Sequence, residues 1–322
     1  MKHLSIQSEN DFNKLSLEIF RLQAENNPLY KDFLRLMHCK VEEIKHWKHI
    51  PCLPVSFFKS HSVKTGDWKE ELIFKSSGTT GSNTSHHFVK EAAKYTNTFL
   101  KNFQHFYGDA QDWCFVALLP SYVAQGNSSL VYMAEGLIQT SKYEESGFYA
   151  EDYTLLREVL TKLKADKVPV ILLGVTYALL DFAEQFPMDF PELIVMETGG
   201  MKGRRKEMVR EELHAILCNG FGVGKIHSEY GMTELLSQAY SKGDGIYQTP
   251  PWMKIHLRDM NDPLSEASPG HTGGINIIDL ANADTCAFIA VQDLGKVGEE
   301  GSFQVLGRFD NSDLRGCSLL LL

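Results

Sequence analysis

Several short stretches of this chain gather side chains able to hold a phosphorylated ligand. The first is Lys75-Ser76-Ser77-Gly78-Thr79-Thr80-Gly81-Ser82. Glycine lets a backbone approach an anion and turn successive N–H groups toward it, and the hydroxyls of Ser76, Ser77, Thr79 and Thr80 add donors. Neither Gly-Lys-Thr nor Gly-Lys-Ser follows, so the loop is not of the P-loop kind. The second stretch, Glu229-Tyr230-Gly231-Met232-Thr233-Glu234, sets an aromatic ring, a hydroxyl and a carboxylate around one glycine. The third, Glu197-Thr198-Gly199-Gly200-Met201, follows a buried apolar run, and a strand end opening into a Gly-Gly turn is where α/β sheets take ligands. Gly220-x-Gly222-x-Gly224 lacks the spacing of a dinucleotide fingerprint, so a nicotinamide cofactor is rejected.

These residues need a scaffold, and the hydrophobic pattern supplies one. Phe12, Leu15, Ile19 and Leu22 share one helical face, as do Tyr30, Phe33, Leu34 and Met37, with Asn26-Asn27-Pro28 as the turn between. Residues 51–59, with two prolines and an aromatic pair, read as an ordered connector. From about 70 to 235, strands and helices alternate. Residues 71–75 form a strand, followed by the Ser/Gly/Thr loop and then a helix bearing Ala92, Tyr95, Phe99, Phe103 and Phe106. Residues 114–119, 168–173, 193–197 and 225–230 suit buried strands, and Asp152 can cap a helix carrying Leu156, Val159, Leu160 and Leu163. The expected fold class is therefore α/β, with mainly parallel sheets and flanking helices. After about residue 246, short strands at 252–258, 274–279, 286–293 and 302–309 are separated by Gly, Pro and Asn clusters, which predicts a smaller antiparallel subdomain. The chain divides accordingly into a core at 1–245 and a β-rich part at 246–322.

The first stretch resembles the signature loop of the acyl-adenylate-forming superfamily of acyl-CoA synthetases, luciferases and peptide-synthetase adenylation domains. The resemblance implies that residues 76–81 clamp the β- and γ-phosphates of ATP. Such loops usually carry a lysine soon after the last glycine, whereas this chain has Gly81-Ser82-Asn83-Thr84-Ser85. The second stretch resembles the next core motif of that superfamily. It implies Tyr230 stacked on adenine beside Gly231, Thr233 reaching the α-phosphate, and Glu234 holding Mg²⁺, a hard cation that prefers oxygen ligands. Gly199 and Gly200 would then line the adenine pocket. Asp293-Leu294-Gly295, a hairpin, and Gly307-Arg308-Phe309-Asp310 resemble the ribose-binding aspartate and the hinge. This places Asp293 on the ribose hydroxyls and Arg308 near the phosphates or ribose. Val291-Gln292 stands where Thr-Gly is usual.

One branch of the superfamily fits further. The segment from Gly307 to Leu319, including Arg315-Gly316-Cys317, resembles the C-terminal end of LuxE-type acyl-protein synthetases. So do Pro54-Val55-Ser56-Phe57-Phe58-Lys59, Leu119-Pro120-Ser121-Tyr122 and Ser128-Ser129-Leu130-Val131-Tyr132-Met133. The resemblance implies transfer of the acyl group from the adenylate to Cys317, and then to a partner reductase or carrier protein. A thiolate attacking an acyl-AMP is sound chemistry, and Arg315 would lower the thiol pKa. The sequence ends 12 residues after Asp310, so the small C-terminal domain of most relatives, with its catalytic lysine, is not expected. Apolar residues about Tyr122, Val123 and Met133 are candidates for the acyl pocket.

Net charge is −9, which argues against a nucleic-acid partner. No apolar run is long enough to span a membrane, and residues after Met1-Lys2-His3 lack a signal-peptide core, so the cytoplasm is expected. The six cysteines form no Cys-x-x-Cys. His86, His87 and His227 invite a catalytic reading, but a lone histidine is more often structural. The function expected is ATP-dependent activation of a carboxylic, fatty, acid to acyl-AMP with transfer to a protein thiol. The alternatives are a phenylacetate–CoA ligase type of enzyme that loads CoA or a carrier protein directly, and a nucleotide-binding relative that does not catalyse.

Overall fold

The computed structural model describes residues 2–76, 84–120, 126–150, 152–199 and 208–309. The chain opens with α1 (Glu9–Asn26) and α2 (Pro28–Leu36). Asn27 divides them: its side chain accepts from the Tyr30 amide at 3.1 Å and so caps α2. Next come β1 (Leu53–Pro54), α3 (Phe57–Ser60), β2 (Leu72–Lys75), β3 (His86–Val89) and α4 (Ala92–Tyr107). An alternating series follows: β4 (Cys114–Leu118), α5 (Ser129–Thr140), β5 (Gly147–Phe148), α6 (Tyr153–Ala165), β6 (Val170–Gly174), α7 (Thr176–Gln185), β7 (Ile194–Glu197), α8 (Arg210–Phe221) and β8 (His227–Tyr230). The chain then turns to strands: β9 (Ala239–Ser241), β10 (Tyr247–Gln248), β11 (Met253–Arg258), β12 (Gly273–Asp279), β13 (Phe288–Val297) and β14 (Phe303–Arg308).

Among the described residues these strands make one twelve-stranded sheet and one small antiparallel hairpin. The large sheet runs β11-β12-β13-β14-β10-β9-β8-β7-β6-β4-β5, with β1 pairing parallel to β13. From β5 to β8 all neighbours are parallel; from β8 to β11 all are antiparallel. The fold is thus mixed α/β, a parallel half continued by an antiparallel one, and the sheet is continuous across residue 246. Every residue of β4 and β6 is buried, so both faces are covered, which is why these strands read as unbroken apolar runs. On one face α4 packs its aromatic stripe against the sheet, with the Phe103 ring edge-on to Phe115 at 5.2 Å. Asp152 caps α6 through the Leu155 amide at 2.9 Å.

The Ser/Gly/Thr loop differs from expectation in one respect. It joins β2 to β3 in a hairpin and does not run from a strand directly into a helix. The reason lies in residues 86–89, whose side chains alternate between half-buried and buried against β2 before α4 begins.

Among the described residues the chain between β8 and β9 has no strand beside it, and it is buried from Glu234 onward. Asp279, at the end of β12, anchors it. Its carboxylate is fully buried and accepts the amides of Leu236 (2.9 Å) and Ser237 (3.0 Å), the Ser237 hydroxyl (2.7 Å) and the Ala281 amide (3.1 Å). Trp252 Nε1 donates to the same hydroxyl at 2.9 Å. Replacing Asp279 by Ala strands three backbone amides in the interior, each costing about 1–3 kcal/mol. Asp279→Ala should therefore lower the melting temperature by several degrees in a thermal scan, while Asp279→Asn, which keeps one acceptor oxygen, should lose clearly less.

Candidate functional site

Three of the sequence motifs meet at the C-terminal ends of β7 and β8. β8 delivers Tyr230, and β13 delivers Asp293 from the antiparallel half. The Tyr230 hydroxyl donates to Asp293 Oδ2 at 2.7 Å, and Arg308 Nε donates to Asp293 Oδ1 at 2.8 Å. Asp293 lies opposite Arg308 in the β13–β14 register, which brings that pair together. Asp293 is buried, 4% exposed, whereas the Arg308 side chain remains mostly open to solvent. The aspartate and arginine therefore form a half-buried ion pair and not two free hairpin charges. The Tyr230 ring stands edge-on to Tyr247 (5.9 Å) and Phe303 (5.7 Å), and its phenol is kept protonated by burial and by the adjacent Asp293 carboxylate.

Thr233 and Glu234 follow on the buried connection. The Thr233 carbonyl accepts from His87 Nδ1 at 2.7 Å, and the Glu234 carbonyl accepts from Asn282 Nδ2 at 2.8 Å. Burial pushes His87 down to about 4, so it is neutral near pH 7, with its one proton on Nδ1 facing a carbonyl that can only accept. Its Nε2 lies 3.1 Å from Asn282 Oδ1 and 3.2 Å from the Thr285 hydroxyl, which itself donates to Asn282 Oδ1. His87 is thus a structural histidine that ties β3, immediately after the Ser/Gly/Thr loop, to the Thr233–Glu234 segment. The loop base closes on itself: the Ser76 hydroxyl accepts from the Ser85 amide at 2.9 Å, and the Ser76 amide donates to the Ser85 carbonyl at 3.1 Å.

Glu234 is 5% exposed. Burial raises its carboxyl above the usual range, against the opposing pull of a hydrogen bond from the Ser85 side chain and of the charges on Arg308 and Lys59. Among the described residues no group of three or more His, Cys, Asp or Glu is arranged to hold a metal ion. Glu234 offers a single carboxylate, a donor set that suits Mg²⁺ when phosphate oxygens and water complete its shell.

Beside this lies a second pair of acids. Glu197 ends β7, and its Oε2 accepts from the Gly199 amide (2.8 Å) and the Thr176 hydroxyl (3.1 Å). Gly199 has φ +77°, a left-handed conformation that glycine adopts without strain, and this turns its amide back onto the carboxylate. Burial opposes ionisation of Glu197, yet its pKa lies below the usual range because His214, Ser228 and the Arg210 charge favour the carboxylate. Glu229, one residue before Tyr230, is 8% exposed and folds over Gly231, where a Cβ would meet Oε1 at 2.3 Å. Burial, then the Glu197 charge, pushes it up to about 8, so it is protonated at neutral pH.

Ser77, Gly78, Thr79, Thr80, Gly81, Gly200, Tyr122, Val123, Asp310 and Cys317 lie outside the described residues. Met133 is buried and, with Phe103, Phe115, Leu137 and Tyr240, lines a small apolar void between α4, α5 and the sheet. His227 sits at the opposite end of β8, 3.0 Å from the Tyr107 hydroxyl, beside a cleft of about 370 Å³ lined also by Glu192 and Lys225. That cleft is remote from the motifs. Cys52 Sγ lies 3.7 Å from His256 Nε2, but burial drives the thiol up and the imidazole down to about 4, so neither activates the other. The structural role expected of a lone histidine is the one His87 plays, whereas nothing in the sequence signalled the roles of Asn282, Asp279 and Ser85. The pattern offered only the alternation around His87 as a hint.

The LuxE family of acyl-protein synthetases matches residues 3–322, and the chain belongs to that family. None of the curated proteins matches it. Among solved structures it is similar to a 2-hydroxyisobutyryl-CoA ligase in complex with 2-HIB-AMP and CoA, at 13% identity and TM-score 0.65, covering 94% of this chain and 70% of the ligase. It is similar also to ATP-bound MatB from Rhodopseudomonas palustris, at 16% identity and TM-score 0.54 over 75% of this chain. A third is the O-succinylbenzoate coenzyme A synthetase MenE from Bacillus subtilis in complex with AMP, at 18% identity and TM-score 0.50 over 73%. The chain spans about half the length of MatB and of MenE (49% of each). At these identities the likeness is one of fold.

The Glu229 carboxyl carries a pH signature. An unfolded glutamate ionises near 4.5, whereas folded Glu229 stays neutral up to about 8. The folded state therefore holds a proton that the unfolded state releases, and stability falls as pH rises between those values. Glu229→Gln removes this penalty. It should stabilise the protein at pH 8.5, by an amount on the order of a few kcal/mol, and have little effect at pH 5. Chemical denaturation at the two pH values reads this directly, and an equal effect at both would show that Glu229 does not titrate in this range.

Proposed function

We propose that this LuxE-family protein activates a fatty acid with ATP and transfers the acyl group to a protein thiol, Cys317 first. The observation that carries the reading is the convergence, at one end of the parallel strands, of Tyr230, Thr233, Glu234, Asp293 and Arg308. These are the side chains that a nucleotide with its ribose and phosphates requires. Family membership supports it independently.

In this reading ATP lies between residues 76–81, the Gly199-Gly200 turn and the Tyr230 ring. Asp293 accepts from the ribose hydroxyls on lone pairs not used by Tyr230 and Arg308. Thr233 reaches the α-phosphate. Glu234 holds Mg²⁺, which supplies charge neutralisation along the phosphates. A carboxylate oxygen of the acid attacks the α-phosphorus, the bond to the bridging oxygen of the β-phosphate breaks, and pyrophosphate leaves. The Cys317 thiolate then attacks the acyl carbon and AMP leaves, giving a thioester. Catalysis is mainly positioning and charge neutralisation, which suits a site of fixed donors at buried strand ends. The thioester passes to an acyl-accepting protein, a reductase or a carrier.

The test is acid-dependent ATP–pyrophosphate exchange over fatty, aryl and amino acids, followed by trapping of labelled acyl-protein. Glu234→Ala should abolish exchange, lowering it by a factor of roughly a hundred or more, as expected for loss of a group acting on developing charge. Cys317→Ala should keep exchange and lose the covalently bound acyl group. If the Cys317→Ala protein still forms product thioester with CoA or a carrier protein, direct loading of that acceptor replaces the acyl-protein route.

A further inference from the structure

Tyr230 ends β8 among the sequence motifs, and His227 begins the same strand at its other end. There it lines the cleft of about 370 Å³, whose lining residues all belong to the described chain. Leu193, Ile194 and Val223 give the cleft an apolar wall, and Glu192 and Lys225 stand at its rim. His227 is 6% exposed, and its Nδ1 lies 3.0 Å from the Tyr107 hydroxyl. That phenol finds no other partner among the described residues, which assigns its proton to Nδ1. Burial, aided by the charges of Lys225 and Lys242, pushes the imidazole down to about 4, so the ring is neutral near pH 7 and carries its one proton on Nε2.

The Nε2–H has no acceptor among the described residues, and Nε2 is not one of the atoms sealed in the interior. A ring more than nine-tenths buried therefore presents one unpartnered donor to the cleft it lines. Cations stand beside that donor. Lys225 is exposed and forms no ion pair among the described residues. A Cβ on Gly243 would meet Lys225 Cδ at 3.3 Å, so the chain at Lys242 runs past Lys225. The Lys242 ammonium lies 5.2 Å from the centroid of the Tyr107 ring, the ring that holds His227. Two ammonium groups against the one carboxylate of Glu192 leave a single positive charge here, in a chain whose net charge is −9.

We propose that this cleft is a ligand site, separate from the motifs, for a small organic carboxylate with an apolar body. His227 Nε2–H donates to one carboxylate oxygen, the Lys225 ammonium pairs with the other, and the body lies on Leu193, Ile194 and Val223. One fixed N–H and one flexible ammonium match the two oxygens of a carboxylate, whereas a phosphate would leave oxygens without donors, and Glu192 would repel its second charge. An apolar wall with a few convergent polar groups is the usual form of a small-molecule site. The inference stands on this end of the sheet alone and does not depend on the nucleotide reading.

The test is an NMR titration of the full chain, labelled in its histidine rings, with octanoate and with 1-octanol as the uncharged control. The His227 ring signal is assigned through its contact with the Tyr107 ring, 5.8 Å away between centroids. This signal reports the cleft and not any acid bound at the motif end. Octanoate should shift it saturably, and octanol should not at the same concentrations. Lys225→Gln and Glu192→Gln change exposed residues that the fold does not need. Lys225→Gln should weaken octanoate roughly tenfold, the loss expected for one charge-assisted contact, and Glu192→Gln should tighten it several-fold. No saturable shift with millimolar octanoate, an equal response to octanol, or unchanged affinity in Lys225→Gln would overturn the proposal.

Discussion

From half-buried Thr233 to buried Ser237 the backbone runs past the end of β8 with no strand alongside among the described residues, so its amides and carbonyls must find side-chain partners. His87 takes the Thr233 carbonyl, Asn282 the Glu234 carbonyl, and Asp279 the amides of Leu236 and Ser237. These partners come from β3, from the turn after β12 and from the last residue of β12. Solving one hydrogen-bonding problem thus ties the small hairpin, the parallel half and the antiparallel half of the sheet together at one place. That place is where Thr233 and Glu234 stand. The site is rigid because an irregular buried segment cannot exist there without these ties.

The same crowding of backbone and acid sets the electrostatics. Glu197, Glu229, Glu234, Asp279 and Asp293 are all buried within or beside the strand ends. Each is handled differently. Asp279 is surrounded by donors, Asp293 has a cation and a phenol, and Glu197 has an amide and a hydroxyl. Glu229 forms no hydrogen bond through its side chain among the described residues, and it lies near Glu197, so it keeps its proton. Glu234 lies between these extremes, raised by burial but surrounded by Ser85, Arg308 and Lys59. Under the proposed reading this is the useful condition for a metal-holding carboxylate. It is not bound up in a salt bridge of its own, and an arriving cation finds it available.

The large elements were legible because they obey simple periodicities. The apolar runs that became β4 and β6, the helical stripe of α4, and the cap at Asp152 are local features that burial on both sides or one side imposes on sequence. The motifs around Tyr230 and Asp293 were legible because each is contiguous. Their meeting was expected only through the resemblance, since nothing in the spacing of Tyr230, Asp293 and Arg308 says that one hydroxyl and one guanidinium will share a carboxylate. The ties themselves were not legible. His87, Asp279 and Asn282 are single polar residues whose roles depend on partners about 40 to 150 positions away, and no local pattern marks such a pairing. The hairpin at 72–89 was misread for a related reason. Four residues of alternation at β3 are too few to outweigh the strong helical pattern of α4 that follows.

This division between local and distant signals bears on how so low an identity can keep the fold. The ligases that share it are 13–18% identical, so most side chains differ while the fold persists. A strand buried on both faces needs apolar residues of suitable size, and many combinations serve. A buried, unpaired loop needs particular donors and acceptors, and few combinations serve. Substitutions should therefore accumulate in β4, β6 and α4 far more readily than at Asp279, Asn282 or His87. A pair such as His87 and Thr233 is constrained in one direction only, because the carbonyl is supplied by any residue but the donor is not. In this fold, the side chains that hold the motif loop's backbone are under as tight a physical constraint as the motif residues themselves.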